Sequence, residues 1–267
     1  MIKFYLWRAP MKQLITYLLL ATSIFSNSWA ADLDAIVKAK KIKIAVDTTY
    51  PPMEFESLDG KVVGLDVDLA RELAKILKVE AEFVVMPWDG ILAGLQSNRY
   101  DVIMSSMNIT PERQAQVNFV PYITMGQVFV VKKTGTPIKN EKDLAGKTVA
   151  VQVDTTSFTA VEAIQKSGVK IKAIKTFPGA TETFSALKAN QAEVIVIDEV
   201  VGKYYTGLDA KTFLISGNAM KPEPIGIAVK KTDTKLLKAL TDAVAEIKKN
   251  GTYARVYKHW LKTEPAL

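Results

Sequence analysis

Two hydrophobic periods alternate along this chain, and that alternation constrains its fold more than anything else. Lys41–Asp47 (KIKIAVD) spaces Ile42, Ile44 and Val46 two residues apart, as a half-buried strand requires. Asp66–Leu77 then sets Leu69, Leu73, Ile76 and Leu77 on one helical face, with Asp66 as its expected N-cap. Glu82–Met86 reads as a strand, Asp89–Ser97 as a helix, Asp101–Met104 as a buried strand and Gln127–Lys132 as a longer one. The pattern then restarts with a strand at Thr148–Val153, a helix at Thr155–Lys166 and a strand at Ile171–Lys175. A helix at Thr181–Ala189 and a strand at Val194–Ile197 follow. One more apolar strand, Ile225–Val229, precedes two closing helices, Lys235–Lys249 and Thr252–Leu261. Strands alternating with helices predict mainly parallel sheets of βαβ units.

A weak internal repeat points to two related lobes. Leu95–Ile103 resembles Leu187–Ile195, each a helix end, a turn at Asn and an apolar strand. The first strand of each half runs into Asp-Thr-Thr, at residues 47–49 and 154–156. The expected division is an export segment at 1–30, a first lobe of 31–124 plus 226–267, and an inserted second lobe of 125–225. The glycine-bearing crossings, near Thr124–Gln127 and Pro224–Gly226, form a hinge. In open α/β sheets ligands gather beyond the carboxyl ends of strands. Asp47, Ser105, Thr155 and Asp198 sit at such ends.

Composition removes most catalytic chemistries. With no cysteine and one histidine, His259, thiol nucleophiles, Cys-ligated zinc, disulfides and multi-histidine metal sites are excluded. Met1–Gln13 carries Lys3, Arg8 and Lys12 and no acid; Leu14–Phe25 is a short apolar run, and Ser28-Trp29-Ala30 supplies small residues for cleavage before Ala31. This predicts an exported, periplasmic protein. No cysteine follows the apolar run, so no lipid anchor is expected. The formal charge of +7 loses three units with that segment. The remaining Lys and Arg are interspersed with acids, which argues against nucleic-acid binding.

Gly64-Leu65-Asp66-Val67-Asp68-Leu69, with Leu73-Ala74 and Leu77, resembles the signature of bacterial solute-binding proteins of the polar amino-acid class, family 3. Supporting stretches are Asp47–Pro52, Asp101–Arg113 (DVIMSSMNITPER), Gly126-Gln127, Ile197-Asp198-Glu199 and Asn250–Tyr253. The resemblance spans nearly all of the chain after residue 30. It implies an α/β, two-lobed clamp of the periplasmic-binding-protein type II, each lobe a mixed, mainly parallel sheet flanked by helices. It also implies a monomer that binds one L-amino acid and hands it to an inner-membrane ABC permease, with no cofactor, no metal and no chemistry done on the ligand.

The residues fit that reading on their own chemistry. An amino-acid zwitterion needs a fork of donors, a carboxylate for its ammonium and a pocket for its side chain. Arg113 offers two parallel charge-assisted hydrogen bonds to a carboxylate, on a helix that Thr110 caps and Pro111 begins. N–H groups at Thr155 and Thr156, where a second helix starts, add donors from the other lobe. Asp198, after the apolar strand VIVI, offers a carboxylate to the ammonium, with acceptors from the backbone at Ser105 and Ser106 and the side chain of Asn108. Bland roles stand beside these: a solvated helix-start arginine for Arg113, a helix cap for Asp198, a turn cap for Asp47, core aromatics for Tyr50 and Trp88. The resemblance implies that Tyr50 and Trp88 sandwich the ligand side chain. With Asp47 they suit a basic ligand through an ion pair and cation–π contact, glutamine being next. Gln152 and Ser157 are weaker candidates.

Two positions depart from the family pattern. Asn108 stands where Ser or Thr is usual, and Asp154 where Gly is usual. Asp tolerates left-handed backbone, so the turn is expected to survive. A second class remains open: exported cyclohexadienyl dehydratases resemble the same fold, and Asp47, Glu54 or Asp198 would then serve as the acid. A third role, reporting ligand state to a receptor, is compatible with binding.

Overall fold

The structure, a computed structural model, describes residues 33–265, so the expected export segment lies outside the described residues. The first half holds α1 (Leu33–Ala39), β1 (Lys41–Val46), β2 (Thr49–Tyr50), β3 (Glu54–Glu56), β4 (Val62–Val63), α2 (Leu65–Ile76) and β5 (Glu80–Val85). It continues with α3 (Ile91–Gln96), β6 (Val102–Ile103), α4 (Pro111–Gln116) and β7 (Val117–Met125). After Gly126 come β8 (Gln127–Lys132), β9 (Thr148–Gln152), α5 (Thr156–Lys166), β10 (Ala173–Phe177), α6 (Ala180–Lys188), β11 (Val194–Asp198), α7 (Glu199–Leu208) and β12 (Phe213–Ser216). The chain returns as β13 (Glu223–Lys230) and closes with α8 (Thr234–Lys249) and α9 (Thr252–Leu261).

These strands make two five-stranded sheets, ordered β5-β1-β6-β13-β7 and β10-β9-β11-β8-β12, and a small sheet β2-β3-β4. In the first, β1 is parallel to β5 and β6, while β13 is antiparallel to β6 and β7. In the second, β9 is parallel to β10 and β11, and β8 is antiparallel to β11 and β12. Each sheet therefore runs four strands one way and one the other. The reversed strand is always the one on which the chain arrives from the other sheet. A chain that crosses at the carboxyl ends of parallel strands has to run back away from that end, so the crossing itself sets the direction.

Period-two burial builds a core on both faces of each sheet, giving two lobes. In the first, Ile42 and Ile44 face Leu69 and Leu73 of α2 and Leu240 of α8, while Ala45 and Ile103 face Ile91 and Leu95 of α3. In the second, Val128, Val130, Ile195 and Ile197 face Phe184 and Leu187 of α6. Phe129, Val131, Val194 and Val196 face Val161 and Ile164 of α5. Burial on both faces is why these strands read as nearly continuous apolar runs. Each fully buried Leu or Ile contributes about 1.5–3 kcal/mol.

Four details differ from the sequence reading. Helix α2 starts at Leu65 with Gly64 at its N-cap, so Asp66 is not the cap; it lies in the first turn, wholly buried. Gly64 has φ 137°, and a Cβ there would stand 2.1 Å from the Met53 carbonyl oxygen, so only glycine fits. Strand β7 is absent from the reading because Pro121 breaks its pattern. It is an edge strand, where Pro is tolerated. Its register with β13 steps from Ile225↔Ile123 to Gly226↔Pro121, leaving Tyr122 bulged out of the ladder. Strand β10 begins at Ala173, two residues after the expected start, and is half exposed, which blunts its apolar signal. The return between sheets runs through residues 217–222, ahead of Pro224–Gly226, because β13 pairs with β7 from Glu223 onward.

Candidate functional site

The carboxyl ends of β1 and β6 lie side by side, which brings Asp47 next to Ser105. The Asp47 N–H donates to Ser105 Oγ at 2.9 Å. The Asp47 carboxylate accepts from the Thr49 N–H at 3.2 Å and the Thr49 hydroxyl at 3.1 Å. Beneath it lies an acid pair. Ser105 Oγ donates to Glu54 Oε1 at 3.0 Å and Ser106 Oγ to Glu54 Oε2 at 3.2 Å. Asp66 Oδ2 accepts from the Ser106 N–H at 2.8 Å and from the Tyr122 hydroxyl at 2.7 Å. These bonds hold Ser106 at φ 48°, a left-handed conformation that costs a non-glycine residue about 1–3 kcal/mol. Burial, then the neighbouring Asp66 charge, pushes Glu54 well above the usual carboxyl range; burial also raises Asp66. One proton shared between two buried carboxyls fits both shifts.

Arg113 sits one turn into α4, where the Thr110 side chain accepts its N–H at 3.2 Å, as the cap reading expects. Nη1 donates to the Asn108 carbonyl at 3.0 Å and Nη2 to the Asp154 carbonyl at 2.9 Å. The guanidinium carbon lies 5.3 Å from the centre of the Trp88 ring, within cation–π range. Burial lowers the Arg113 pKa, and the charges of Glu223, Asp198 and Asp154 oppose that.

The second lobe contributes the turn 152–157 and the end of β11. Asp154 adopts φ 55°, the left-handed backbone expected of it. Its side chain is exposed, and its carbonyl enters the site, taking the Trp88 Nε1–H at 3.0 Å as well as Arg113. Thr155 caps α5 by accepting the Phe158 N–H at 3.2 Å and donates to the Gln152 carbonyl at 2.8 Å. The Thr156 hydroxyl accepts from Gln127 Nε2 at 2.8 Å. At the start of a helix the N–H groups of Thr156 and Ser157 have no intrahelical partner and favour an anion. Asp198 makes no side-chain cap to α7. Its Oδ2 accepts from the Tyr50 hydroxyl across the cleft at 2.9 Å. Its Oδ1 is buried without a hydrogen-bond partner among the described residues. Burial raises the Asp198 pKa to about 7, against the lowering effects of Tyr50 and Arg113.

Further bonds join the lobes. Gln152 Nε2 donates to Asp47 Oδ2 at 2.7 Å and the Ala180 N–H to Thr49 Oγ1 at 3.1 Å. Asp47, Tyr50, Trp88, Ser105, Ser106, Asn108, Thr155, Thr156 and Asp198 surround one cavity of about 20 Å³. Arg113 lines a neighbouring cavity of about 950 Å³, which shares Trp88, Thr155 and Thr156 with the first. Nine of the ten sequence candidates thus converge and Arg113 stands beside them. Sequence reasoning missed Asp66, Tyr122, Gln127 and Glu223, and placed Glu54 only as an acid. Asp66 lies in the signature segment, but its partners are at least 40 residues away, so only its motif marks it.

Three comparisons bear on this geometry. The family model for bacterial extracellular solute-binding proteins, family 3, matches residues 42–263. The chain is 32% identical over 231 residues to the L-cystine-binding protein TcyJ of Escherichia coli K12, covering 85% of each chain. It is 30% identical over 255 residues to ABC transporter arginine-binding protein 1 of the same strain, covering 94% of this chain and 99% of that one. Among solved structures, a mutant of ArgBP from T. maritima superposes with a TM-score of 0.81 at 36% identity, covering 86% of this chain and 99% of the other.

Proposed function

We propose, since the chain belongs to the bacterial extracellular solute-binding proteins of family 3, that it captures a polar L-amino acid between its lobes and delivers it to an ABC permease. The observation that carries this reading is Asp198: a buried carboxylate whose Oδ1 lacks a partner, in a cavity walled by both lobes. Buried acceptors without partners are rare and costly, so a donor from a ligand is the natural complement. An ammonium group supplies it. The ligand carboxylate goes to Arg113, with the N–H groups of Thr156 and Ser157 closing from the other side. Trp88 and Asp47 face the ligand side chain. Asp47 at the cavity wall, with the aromatic rings of Tyr50 and Trp88, favours a basic side chain, and glutamine comes next. Two of the relatives above bind arginine by name and one binds cystine.

A cavity of about 20 Å³ holds roughly one water, not an amino acid. Ligand entry therefore needs the lobes to part at the bonds Tyr50–Asp198, Gln152–Asp47 and Ala180–Thr49. Their reclosure is driven only by contacts the ligand makes better in the closed form. The moving lobes divide at the two crossings: the chain up to Met125 together with Glu223 onward forms one, and residues 127–216 form the other. The protein acts as a periplasmic monomer after removal of residues 1–30. No helix among the described residues is long and apolar enough to cross a membrane.

A thermal-shift panel of the twenty L-amino acids with ornithine and citrulline tests this. Ligand at a hundredfold excess over Kd adds about 2.7 kcal/mol of stability. No shift with any member of the panel would sink the reading. The raised pKa of Asp198 also suits a general acid, which keeps a cyclohexadienyl dehydratase as the second reading. Product formation from prephenate or arogenate would promote it.

A further inference from the structure

We propose that Glu223 is a positioning residue for ligand binding: it fixes the carboxamide of Asn108 so that the oxygen, not the nitrogen, faces the ligand ammonium. This rests on the amino-acid reading above. Glu223 Oε2 lies 3.1 Å from Asn108 Nδ2. A carboxylate only accepts, so the amide nitrogen has to point at it. The oxygen is then turned the other way, and among the described residues it accepts no hydrogen bond. Asn108 is buried and lines the cavity that also holds Asp198.

Only the side-chain rotation of Asn108 is left for Glu223 to decide. The backbone is already pinned to β13 on both sides. The Ile109 N–H donates to the Pro224 carbonyl at 2.8 Å, the Gly226 N–H to the Met107 carbonyl at 3.0 Å, and Asn108 itself bridges Ile225. Arg113 holds the Asn108 carbonyl. A serine or threonine hydroxyl in this place would rotate to suit an ammonium without help. An amide has two nearly isosteric orientations, and the wrong one presents two N–H donors to a cation. Glu223 selects the right one. It does so from the first residue of β13, paired with Met125 at the last residue of β7, so the strand pair that joins the lobes also carries the group that orients the acceptor.

The test is calorimetric titration of L-arginine, L-histidine, L-glutamine and L-cystine into wild type, Glu223→Ala, Glu223→Gln, Asn108→Ser and the double variant Glu223→Ala/Asn108→Ser. For the tightest of the four ligands, Glu223→Ala weakens binding about tenfold, the worth of one ionic hydrogen bond at the ammonium, with the melting temperature of the free protein kept. Glu223→Gln stays within about threefold of wild type, because its amide oxygen still accepts from Nδ2. In the Asn108→Ser background Glu223→Ala costs less than about twofold, since the rotor is gone. Equal losses in both backgrounds overturn the proposal in favour of a general effect of the charge. So does unchanged affinity in Glu223→Ala. If Asn108→Ser binds none of the four, the side-chain amide resonances of Asn108 decide: they move on Glu223→Ala, and unmoved resonances overturn the proposal. If the wild type binds none of the four, the titrations are run with whichever amino acid shifts its melting temperature in the panel above; a panel without any shift sinks the amino-acid reading, and this role with it.

Discussion

The two lobes share a strand order and a direction rule, yet they bring different chemistry to the cleft. The first presents side chains: Asp47, Tyr50, Trp88, Ser105, Asn108 and Arg113, over the buried Glu54–Asp66 pair. The second presents mostly main chain: the Asp154 carbonyl and the start of α5, with Gln152 and Asp198 as its principal polar side chains. Side chains anchored in a packed sheet can define a ligand before closure, whereas main-chain donors and one orphaned carboxylate complete it afterwards. This contrast supports the proposal that the first lobe recognises and the second lobe closes.

The sharpest way to break the contrast is Arg113→Ala. It leaves a ligand carboxylate in the cleft without its ionic partner, a loss of about 3–5 kcal/mol, or roughly a hundred- to several-thousandfold in Kd by calorimetry. Full retention of binding would move recognition to the second lobe. Next, Leu69→Ala in the first core and Leu187→Ala in the second should each cost about 2–5 kcal/mol in urea unfolding. A single shared transition for both variants would mean that the lobes unfold as one unit; separate transitions would mean that they do not.

Asp198→Asn keeps shape and removes charge, and should weaken binding by about 1.5–3 kcal/mol without lowering stability. A milder effect follows from pH. The Asp198 pKa of about 7 lies above the ordinary carboxyl value of 3.8, so the free folded protein holds a proton that the unfolded chain has lost. The contribution of this group to stability therefore falls as pH rises from about 4 to 7. An ammonium ligand needs the carboxylate, so affinity runs the other way. Kd should improve by at most about tenfold per pH unit up to pH 7 and level off above it. A flat Kd between pH 5 and 7 would remove Asp198 from the ammonium. Smallest is the loss of a helix cap: Thr155→Ala should cost about 1 kcal/mol in thermal unfolding, and so should Thr110→Ala. A larger drop in affinity for Thr155→Ala alone would show that the turn of the second lobe does more than close.

Much of this protein was legible from its letters. The strands β1, β8, β9 and β11 and the helices α2, α5, α6, α8 and α9 follow from local periodicity, because burial on one face repeats at the period of the element. Strand β7 was hidden by Pro121, and β12, a short edge strand, had too few alternating residues to show. In the site, Arg113 and Asp198 stood out because each ends a short motif that sets its local backbone. Glu223 did not, since nothing beside it in the chain distinguishes a solvated glutamate from one that faces Asn108.

Residue type and spacing by themselves determined the alternation of strands and helices and the acid, guanidinium and aromatic character of the site. The two-lobed plan and the family followed from the resemblance of the motifs to family 3. Only the tertiary structure decided who bonds to whom. Tyr50 meets Asp198 across 148 residues, Gln152 meets Asp47 across 105 and Asn108 meets Glu223 across 115. The reason is physical: helix and strand periods report which face a residue occupies, whereas a hydrogen bond depends on distance and angle between groups that only chain folding brings together.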